Sequence, residues 1–129
     1  MPSFHDSATS TAPPEEVWKL LYDPARFPDW WAGIGTVDVR DAGQYTMYLE
    51  GYPDFPMPQL LETRGSEQRV TVSCLVSDLR FEWRLQPEGE GTLITVDVDI
   101  PEAEADRLDT QREIISTSIR RLTNLTINT

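Results

Sequence analysis

Residues 80–100 read RFEWRLQPEGEGTLITVDVDI and give the clearest indication of the fold. In residues 81–85 three apolar side chains alternate with charged ones, and in residues 94–100 apolar residues occupy every second position. Because successive side chains of a strand point to opposite faces of a sheet, each half predicts a strand with one buried face. The turn-forming residues 87–91, Pro-Glu-Gly-Glu-Gly, join the halves and predict an antiparallel hairpin.

The same alternation, with short turn-rich breaks, continues through most of the chain. The predicted strands are residues 3–11, 34–40, 44–51, 59–65, 69–77, 80–86 and 92–100. The breaks between consecutive strands from residue 34 onward are too short for parallel crossovers, which need a dozen residues or more. We therefore predict an antiparallel sheet of seven strands.

Helical patterns occur at two places in the chain. Between the first two strands, the prolines around residues 13–14 and 24–28 predict two short helices, with Asp23 and Asp29 as N-caps. After residue 100 the apolar period changes from two to about 3.6, which predicts one helix over residues 102–125. Only this long helix is large enough to cover one face of the sheet, so the predicted class is α+β.

Composition limits the possible partners and cofactors. The 129 residues fit one domain, 1–129, and the net charge of −11 argues against nucleic acid and membrane partners. His5 and Cys74 are the only histidine and cysteine, so we expect no disulfide, no metal site and no nucleotide or other cofactor. The start of the sequence lacks a leader pattern and no stretch is long enough to span a bilayer. A cytoplasmic location is the resulting expectation.

Several segments resemble the SRPBCC superfamily, which contains the polyketide cyclase/dehydrase and START-related proteins. The similar segments are APPEEVWKLL at 12–21, DPAR at 23–26, PDWW at 28–31, FEWRL at 81–85, GTLITV at 91–96 and the closing helix with Arg107, Leu108 and Leu122. The resemblance covers essentially the whole chain. It implies a helix-grip fold, in which a strongly curved seven-stranded antiparallel sheet wraps around the long C-terminal helix, with two short helices between strands 1 and 2.

The resemblance also implies a ligand cavity between the sheet and the long helix. Its expected wall residues are Trp30, Trp31, Tyr45, Met47, Leu49, Gln59, Leu61, Val72, Cys74, Phe81, Trp83, Ile115 and Ile119. The proline-rich segment 52–58 exposes Tyr52, Phe55 and Met57, which form a lid over the cavity or pack beneath the sheet. Trp83 is either a ligand-stacking residue or a core residue whose indole N–H bonds to a backbone carbonyl.

Single residues allow both functional and structural interpretations. Alternation in the first strand places Asp6 on the inner face, as a weak candidate for a catalytic carboxylate, and His5 on the outer face. Cys74 on an inner face is typical of a small buried apolar side chain. Asp97 and Asp99 lie on an outer face, where Arg80 and Arg84 predict cross-strand charge pairs.

Three functions fit this pattern. The first is non-catalytic binding of a small hydrophobic ligand, such as a lipid or a polyketide-like aromatic compound. The second is a cyclase/dehydrase enzyme that uses Asp6, Tyr45, Tyr48 or Gln59 without a metal or nucleotide cofactor. The third is a protein-interaction domain similar to the co-chaperone members of the superfamily. The sequence leaves the ligand and the oligomeric state open.

Overall fold

The computed structural model describes residues 3–39, 43–52, 54–75 and 78–126. Among these residues seven strands form one curved sheet in the order β1-β7-β6-β5-β4-β3-β2, with every neighbouring pair antiparallel. The strands are β1 (Ser3–Ser10), β2 (Ile34–Val39), β3 (Gln44–Leu49), β4 (Met57–Arg64), β5 (Arg69–Cys74), β6 (Arg80–Glu88) and β7 (Gly91–Asp99). The predicted seven-stranded antiparallel sheet is confirmed.

Short helices connect the two edge strands of the sheet, β1 and β2, and a long helix follows the last strand, β7. Helix α1 (Pro14–Leu21), a 3-10 turn (Pro24–Arg26) and helix α2 (Phe27–Trp30) lie between β1 and β2. A second 3-10 turn (Gly65–Glu67) lies between β4 and β5, and a third (Glu102–Arg107) precedes the long helix α3 (Leu108–Leu125), which contacts β1 and α2. This arrangement is the helix-grip fold that the resemblance implied. No helix within the described residues is long and apolar enough to cross a membrane.

The core follows the alternation of the strands. On the inner face, β5, β6 and β7 bury a continuous apolar surface, and α3 turns its own apolar stripe toward the core. The buried residues of these four elements include Val70, Val72, Phe81, Trp83, Leu85, Ile94, Val96, Val98, Ile115, Ile119 and Leu122. Burial of this surface supplies the main favourable free energy of folding.

The outer face of the sheet carries a row of charged residues across four strands. The His5 imidazole on β1 lies 3.0 Å from an oxygen of Asp97 on β7, and Arg84 on β6 pairs with the other oxygen. Glu82 pairs in turn with Arg69 on β5 at 3.7 Å. Partial burial alone would raise the pKa of Asp97, but the hydrogen bonds and positive charges of His5 and Arg84 lower the pKa below its ordinary value. The predicted cross-strand pairing is confirmed for Arg84 and Asp97.

Two details near the short helices bear on the predicted caps. Asp23 caps the 3-10 turn by accepting a hydrogen bond from the backbone N–H of Ala25 at 3.1 Å, as predicted. The prediction that Asp29 is an N-cap is wrong, because α2 already begins at Phe27 and Asp29 lies inside it. Pro28 does not break this helix, since it occupies the first turn, where the missing N–H of proline has no intrahelical partner to lose.

Most strand ends differ from the prediction by one to three residues, and the start of the long helix differs by more. Strand β4 begins at Met57 rather than at Gln59, because Met57 and Pro58 pair with Met47 and Thr46 of β3. The predicted single helix from residue 102 is a 3-10 turn until residue 107, since Glu104 has a non-helical backbone (φ −113°). The predicted strand ends at residue 40 and at residues 76–77 lie outside the described residues.

The close approach of β7 to β1 requires a glycine at position 91. A Cβ atom on Gly91 would overlap the backbone carbonyl of Ser10, whereas a Cβ on Gly65 would lie 4.0 Å from its nearest neighbour, the Trp18 side chain. We expect Gly91→Ala to lower the free energy of unfolding by about 2 kcal/mol, the size of a typical overpacking effect. Gly65→Ala, the matched control, should change it by less than about 0.5 kcal/mol. Urea denaturation of both variants would measure the difference, and equal stabilities would refute the proposed tight packing of β1 against β7.

Candidate functional site

A cavity of about 370 Å³ lies between the inner face of the sheet and the first turns of α3. Strands β2 to β6 and the residues just before β6 form its wall, and the segment after α2 forms one side. Its lining residues are Trp31, Ala32, Gly33, Ile34, Tyr45, Met47, Leu49, Glu50, Tyr52, Met57, Gln59, Val72, Cys74, Leu79, Phe81, Arg107, Thr110, Gln111 and Ile114. The cavity is therefore built by the half of the sheet that lies away from β1 and β7.

A cluster of aromatic side chains fills the neighbouring part of the core. Trp30 on α2 meets the ring of Trp83 edge-on at 5.1 Å, and Trp31 meets Phe81 in the same way at 5.0 Å. Phe27 contacts Tyr45 at 5.7 Å, which connects the cluster to β3. Trp31 and Phe81 belong to both the cluster and the cavity wall. The aromatic cluster thus forms the boundary between the solid core and the cavity.

The structure brings most of the predicted wall and lid residues to this cavity. Those that line it are Trp31, Tyr45, Met47, Leu49, Gln59, Val72, Cys74 and Phe81 from the predicted wall, and Tyr52 and Met57 from the predicted lid. Their binding of a ligand remains a prediction. Met57 is buried in β4, while Tyr52 is 63% exposed at the cavity mouth. The predicted lid segment is therefore divided between a strand and a surface connection.

Other predicted site residues lie away from the cavity. Trp30, Trp83, Ile115 and Ile119 are buried in the packed core, Leu61 is half-buried farther along β4, and Phe55 is 62% exposed. Ile115 and Ile119 lie farther along α3 than the lining residues of that helix, where the core is filled by side chains.

The polar candidates Asp6 and Tyr48 also lie outside the cavity lining. Asp6 is half-buried on β1 opposite Val96, and one of its carboxylate oxygens accepts a hydrogen bond from the N–H of Ser7 at 2.8 Å. Tyr48 follows Met47 on β3 and so points to the opposite face of the sheet. Neither side chain is in a position to act on a molecule in the cavity.

The indole groups of Trp30 and Trp83 have different hydrogen bonding. Trp30 donates its N–H to the carbonyl of Leu20 at 3.0 Å and so fixes α2 against α1. The N–H of Trp83 is buried, and within the described part of the chain it has no hydrogen-bond partner. Trp83 is therefore a core residue, but the predicted hydrogen bond from its indole N–H to a backbone carbonyl is absent among the described residues. The Trp83 ring instead makes nearly perpendicular contacts with the rings of Trp30 and Trp31.

Sequence reasoning missed the lining residues that α3 and the loops contribute. Thr110, Gln111 and Ile114 face the cavity from the first turns of α3, and Arg107 lies just before the helix. Gln111 lies one helical turn before Ile115 of the apolar stripe, so helical spacing could have identified it. The segment 32–34 and the residues before β6 gave no comparable signal, because their position depends on how the loops fold.

The chemistry of the lining separates a neutral interior from a charged rim. Tyr45, Gln59 and Cys74 are almost fully buried, whereas Glu50 is exposed and Arg107 forms an ion pair with Glu104 at 3.5 Å. Among the described residues no group of three or more His, Cys, Asp or Glu side chains could hold a metal ion. The interior therefore offers hydrogen bonds without a fixed charge.

Burial strongly raises the pKa of Tyr45, and Coulombic repulsion from Cys74 raises it further. The phenol consequently stays protonated while the protein is folded. Because the unfolded chain ionises Tyr45 near its ordinary pKa of 10.0, this residue contributes stability below that pH, and the contribution is lost as the pH rises above it.

We expect Tyr45→Phe to reduce the loss of stability above pH 10, since phenylalanine has no proton to release. Urea denaturation between neutral pH and about pH 11 would show this as a flatter dependence of unfolding free energy on pH. Ultraviolet titration of the folded proteins should give equal phenolate signals for the variant and the wild type. A smaller signal in the variant would mean that Tyr45 ionises in the folded state, which contradicts a phenol held neutral by burial.

The sheet, the gripped helix and the cavity between them define a protein of the helix-grip class. Residues 1–124 match the model of the family described as polyketide cyclase/dehydrase and lipid transport. The chain therefore belongs to this family, within the SRPBCC superfamily of START-related proteins. No curated protein matches the chain in sequence.

Solved structures with the same fold share little sequence with the chain. Protein XoxI from Bacillus cereus has a TM-score of 0.80 and 17% identity, over 98% of this chain and 96% of that one. A START superfamily protein from Mycobacterium smegmatis has a TM-score of 0.75 and 14% identity, over 96% of both chains. The di-domain ARO/CYC BexL from the BE-7585A biosynthetic pathway has a TM-score of 0.78 and 14% identity, over 96% of this chain and 46% of that chain. At such identities these likenesses establish the fold alone.

Proposed function

We propose that this protein binds a small hydrophobic ligand in the cavity between the sheet and α3. The observation that carries the proposal is the cavity of about 370 Å³, which is lined mainly by apolar and aromatic side chains. Ligand sites are typically concave, mostly apolar and supplied with a few polar groups that orient the ligand. The cavity has each of these properties, and the family description includes lipid transport as well as cyclisation.

The size of the cavity narrows the class of ligand. A volume of about 370 Å³ lies near the lower end of the roughly 300–1,000 Å³ that pockets for drug-sized ligands span. It fits a compact molecule of two or three rings or a short acyl chain. A two-chain phospholipid is too large, so a polyketide-like aromatic compound or a short lipid is the better match.

The alternative functions have less support from the cavity. Its described lining contains one carboxylate, on Glu50, and that residue is exposed at the rim. A cyclase or dehydrase would therefore depend on Tyr45 as a proton donor, because Asp6 lies elsewhere. A protein-interaction role would use exposed apolar residues such as Tyr52 and Phe55, but a surface of this kind also suits the entrance of a ligand cavity.

The single domain and the cytoplasmic location expected from the sequence stay predictions.

A cavity-filling substitution tests the binding proposal. Ile114 is half-buried on α3 and lines the cavity, whereas its neighbour Glu113 is exposed on the same helix. We expect Ile114→Trp to occupy the space and to weaken binding of the neutral fluorescent probe N-phenyl-1-naphthylamine by roughly 10-fold or more, since about 1.4 kcal/mol of lost contact has that effect. Glu113→Trp, which adds the same indole outside the cavity, should leave the affinity within about twofold, because most surface changes have small energetic effects.

Fluorescence titration would measure both affinities, and circular dichroism would establish that both variants are folded. Mass spectrometry of organic extracts from the purified wild-type protein would look for a co-purified ligand, which Ile114→Trp should exclude. Equal probe binding by the wild type and Ile114→Trp would place the probe outside the cavity and remove the support for this function.

A further inference from the structure

Three hydrogen-bonding side chains form a continuous row across the cavity wall. Tyr45 on β3 pairs directly with Gln59 on β4, and Gln59 pairs directly with Cys74 on β5. Directly opposed residues of antiparallel strands place their side chains on the same face, with Cβ atoms about 5 Å apart. All three residues line the cavity. We refer to Tyr45, Gln59 and Cys74 as the polar row.

The side chains of the polar row are buried, but they form few hydrogen bonds to other described residues of the protein. Tyr45, Gln59 and Cys74 are 1%, 1% and 3% exposed. The Gln59 amide reaches the carbonyl of Met57 at a long 3.4 Å, and within the described residues the Tyr45 hydroxyl has no hydrogen-bond partner. Since an unpaired polar group inside a protein is costly, groups that face a cavity in this state are suited to bind a polar group there.

The opposite side of the cavity adds a further neutral group. Gln111 on α3 is buried and lines the same cavity, so amide groups from the sheet and from the helix both border it. Arg107, the one cation of the described lining, lies at the rim of the cavity, where it is partly exposed and pairs with Glu104 at 3.5 Å. Burial also keeps the Tyr45 phenol neutral, as its raised pKa indicates. A charged ligand group placed at the polar row would thus lose its hydration without an opposite charge among these buried side chains.

We propose that the polar row recognises an uncharged oxygen group, a ketone or a hydroxyl, on an otherwise apolar ligand. Tyr45 donates its O–H and Gln59 its amide N–H to the ligand oxygen, while the aromatic and aliphatic wall holds the hydrocarbon body. The inference rests on the proposed binding function and names the chemical class of its ligand. It predicts that a carboxylate, such as that of a free fatty acid, is not bound at the polar row.

Three naphthalenes of nearly equal shape test this inference. They are 2-acetylnaphthalene, which carries a ketone, 2-ethylnaphthalene, which carries no polar group, and 2-naphthoate, which carries a carboxylate. Equilibrium dialysis at neutral pH would measure the affinity of the wild-type protein for each. We expect the ketone to bind roughly 10-fold more tightly than the hydrocarbon, because one or two otherwise unmade buried hydrogen bonds are at stake. The carboxylate should bind roughly 100-fold more weakly than the ketone, because its charge is desolvated.

Substitutions in the polar row show whether these residues cause the preference. In Tyr45→Phe combined with Gln59→Leu, the preference for ketone over hydrocarbon should fall to about twofold or less, since both donors are removed. The matched changes Tyr22→Phe and Gln86→Leu alter the same residue types at exposed positions, and they should preserve the preference. Circular dichroism would establish folding, and the single variants Tyr45→Phe and Gln59→Leu serve if the double variant does not fold.

The possible results show whether the proposed ligand class fails alone or fails together with the proposed binding function. Binding of all three compounds with similar affinity would overturn the proposed class and leave the hydrophobic binding function intact. Tightest binding of 2-naphthoate, or an unchanged ketone preference in the polar-row variants, would overturn the inference in the same way. If none of the three compounds binds to the folded wild-type protein, the proposed function fails and the inference fails with it.

Discussion

The contact between two adjacent tryptophans and the inner face of the sheet determines the rest of this structure. Trp30 meets Trp83 and Trp31 meets Phe81, with ring centres 5.1 and 5.0 Å apart in nearly perpendicular geometry. Each such contact contributes about 0.5–1.5 kcal/mol beyond the burial of its surface. Together they attach α2 to β6, and the chain that leaves α2 must then pass beside the sheet before it enters β2. The wall formed by residues 31–34 follows from this path.

The same aromatic cluster decides where the interior is filled and where it is open. Next to β1 and β7, bulky side chains from the sheet meet Ile115, Ile119 and Leu122 of α3, and the core is continuous. Beside β3 and β4, the first turns of α3 present Gln111 and Ile114 to the cavity instead. The long helix therefore has two roles: its later turns stabilise the core, and its first turns cover the cavity.

Charged side chains lie on the outer face of the sheet, whereas the buried polar groups of the cavity are neutral, because burying a charge costs far more than exposing it to water. On the outer face of the sheet, His5, Asp97, Arg84 and Glu82 form ion pairs at partly exposed positions, so their charges carry little cost. Inside, where an unpaired charge would be expensive, the polar groups of the lining are a phenol, amides and a thiol. A protein that carries a net charge of −11 thus keeps its charge outside and a neutral set of hydrogen-bonding groups within.

Alternation with period two and helical spacing are local properties, so the sequence alone predicted the sheet, the succession of strands along the chain and the inner face of most strands. Alternation placed Cys74 on an inner face, and the family resemblance added Tyr45 and Gln59 to the expected cavity wall. Only the tertiary structure decided that strand register places these three side chains in one row, that Asp6 lies away from them, and that Trp83 belongs to the solid core. Those facts depend on the curvature of the sheet and on where α2 and α3 cross it, and such long-range packing has no signature in any single segment.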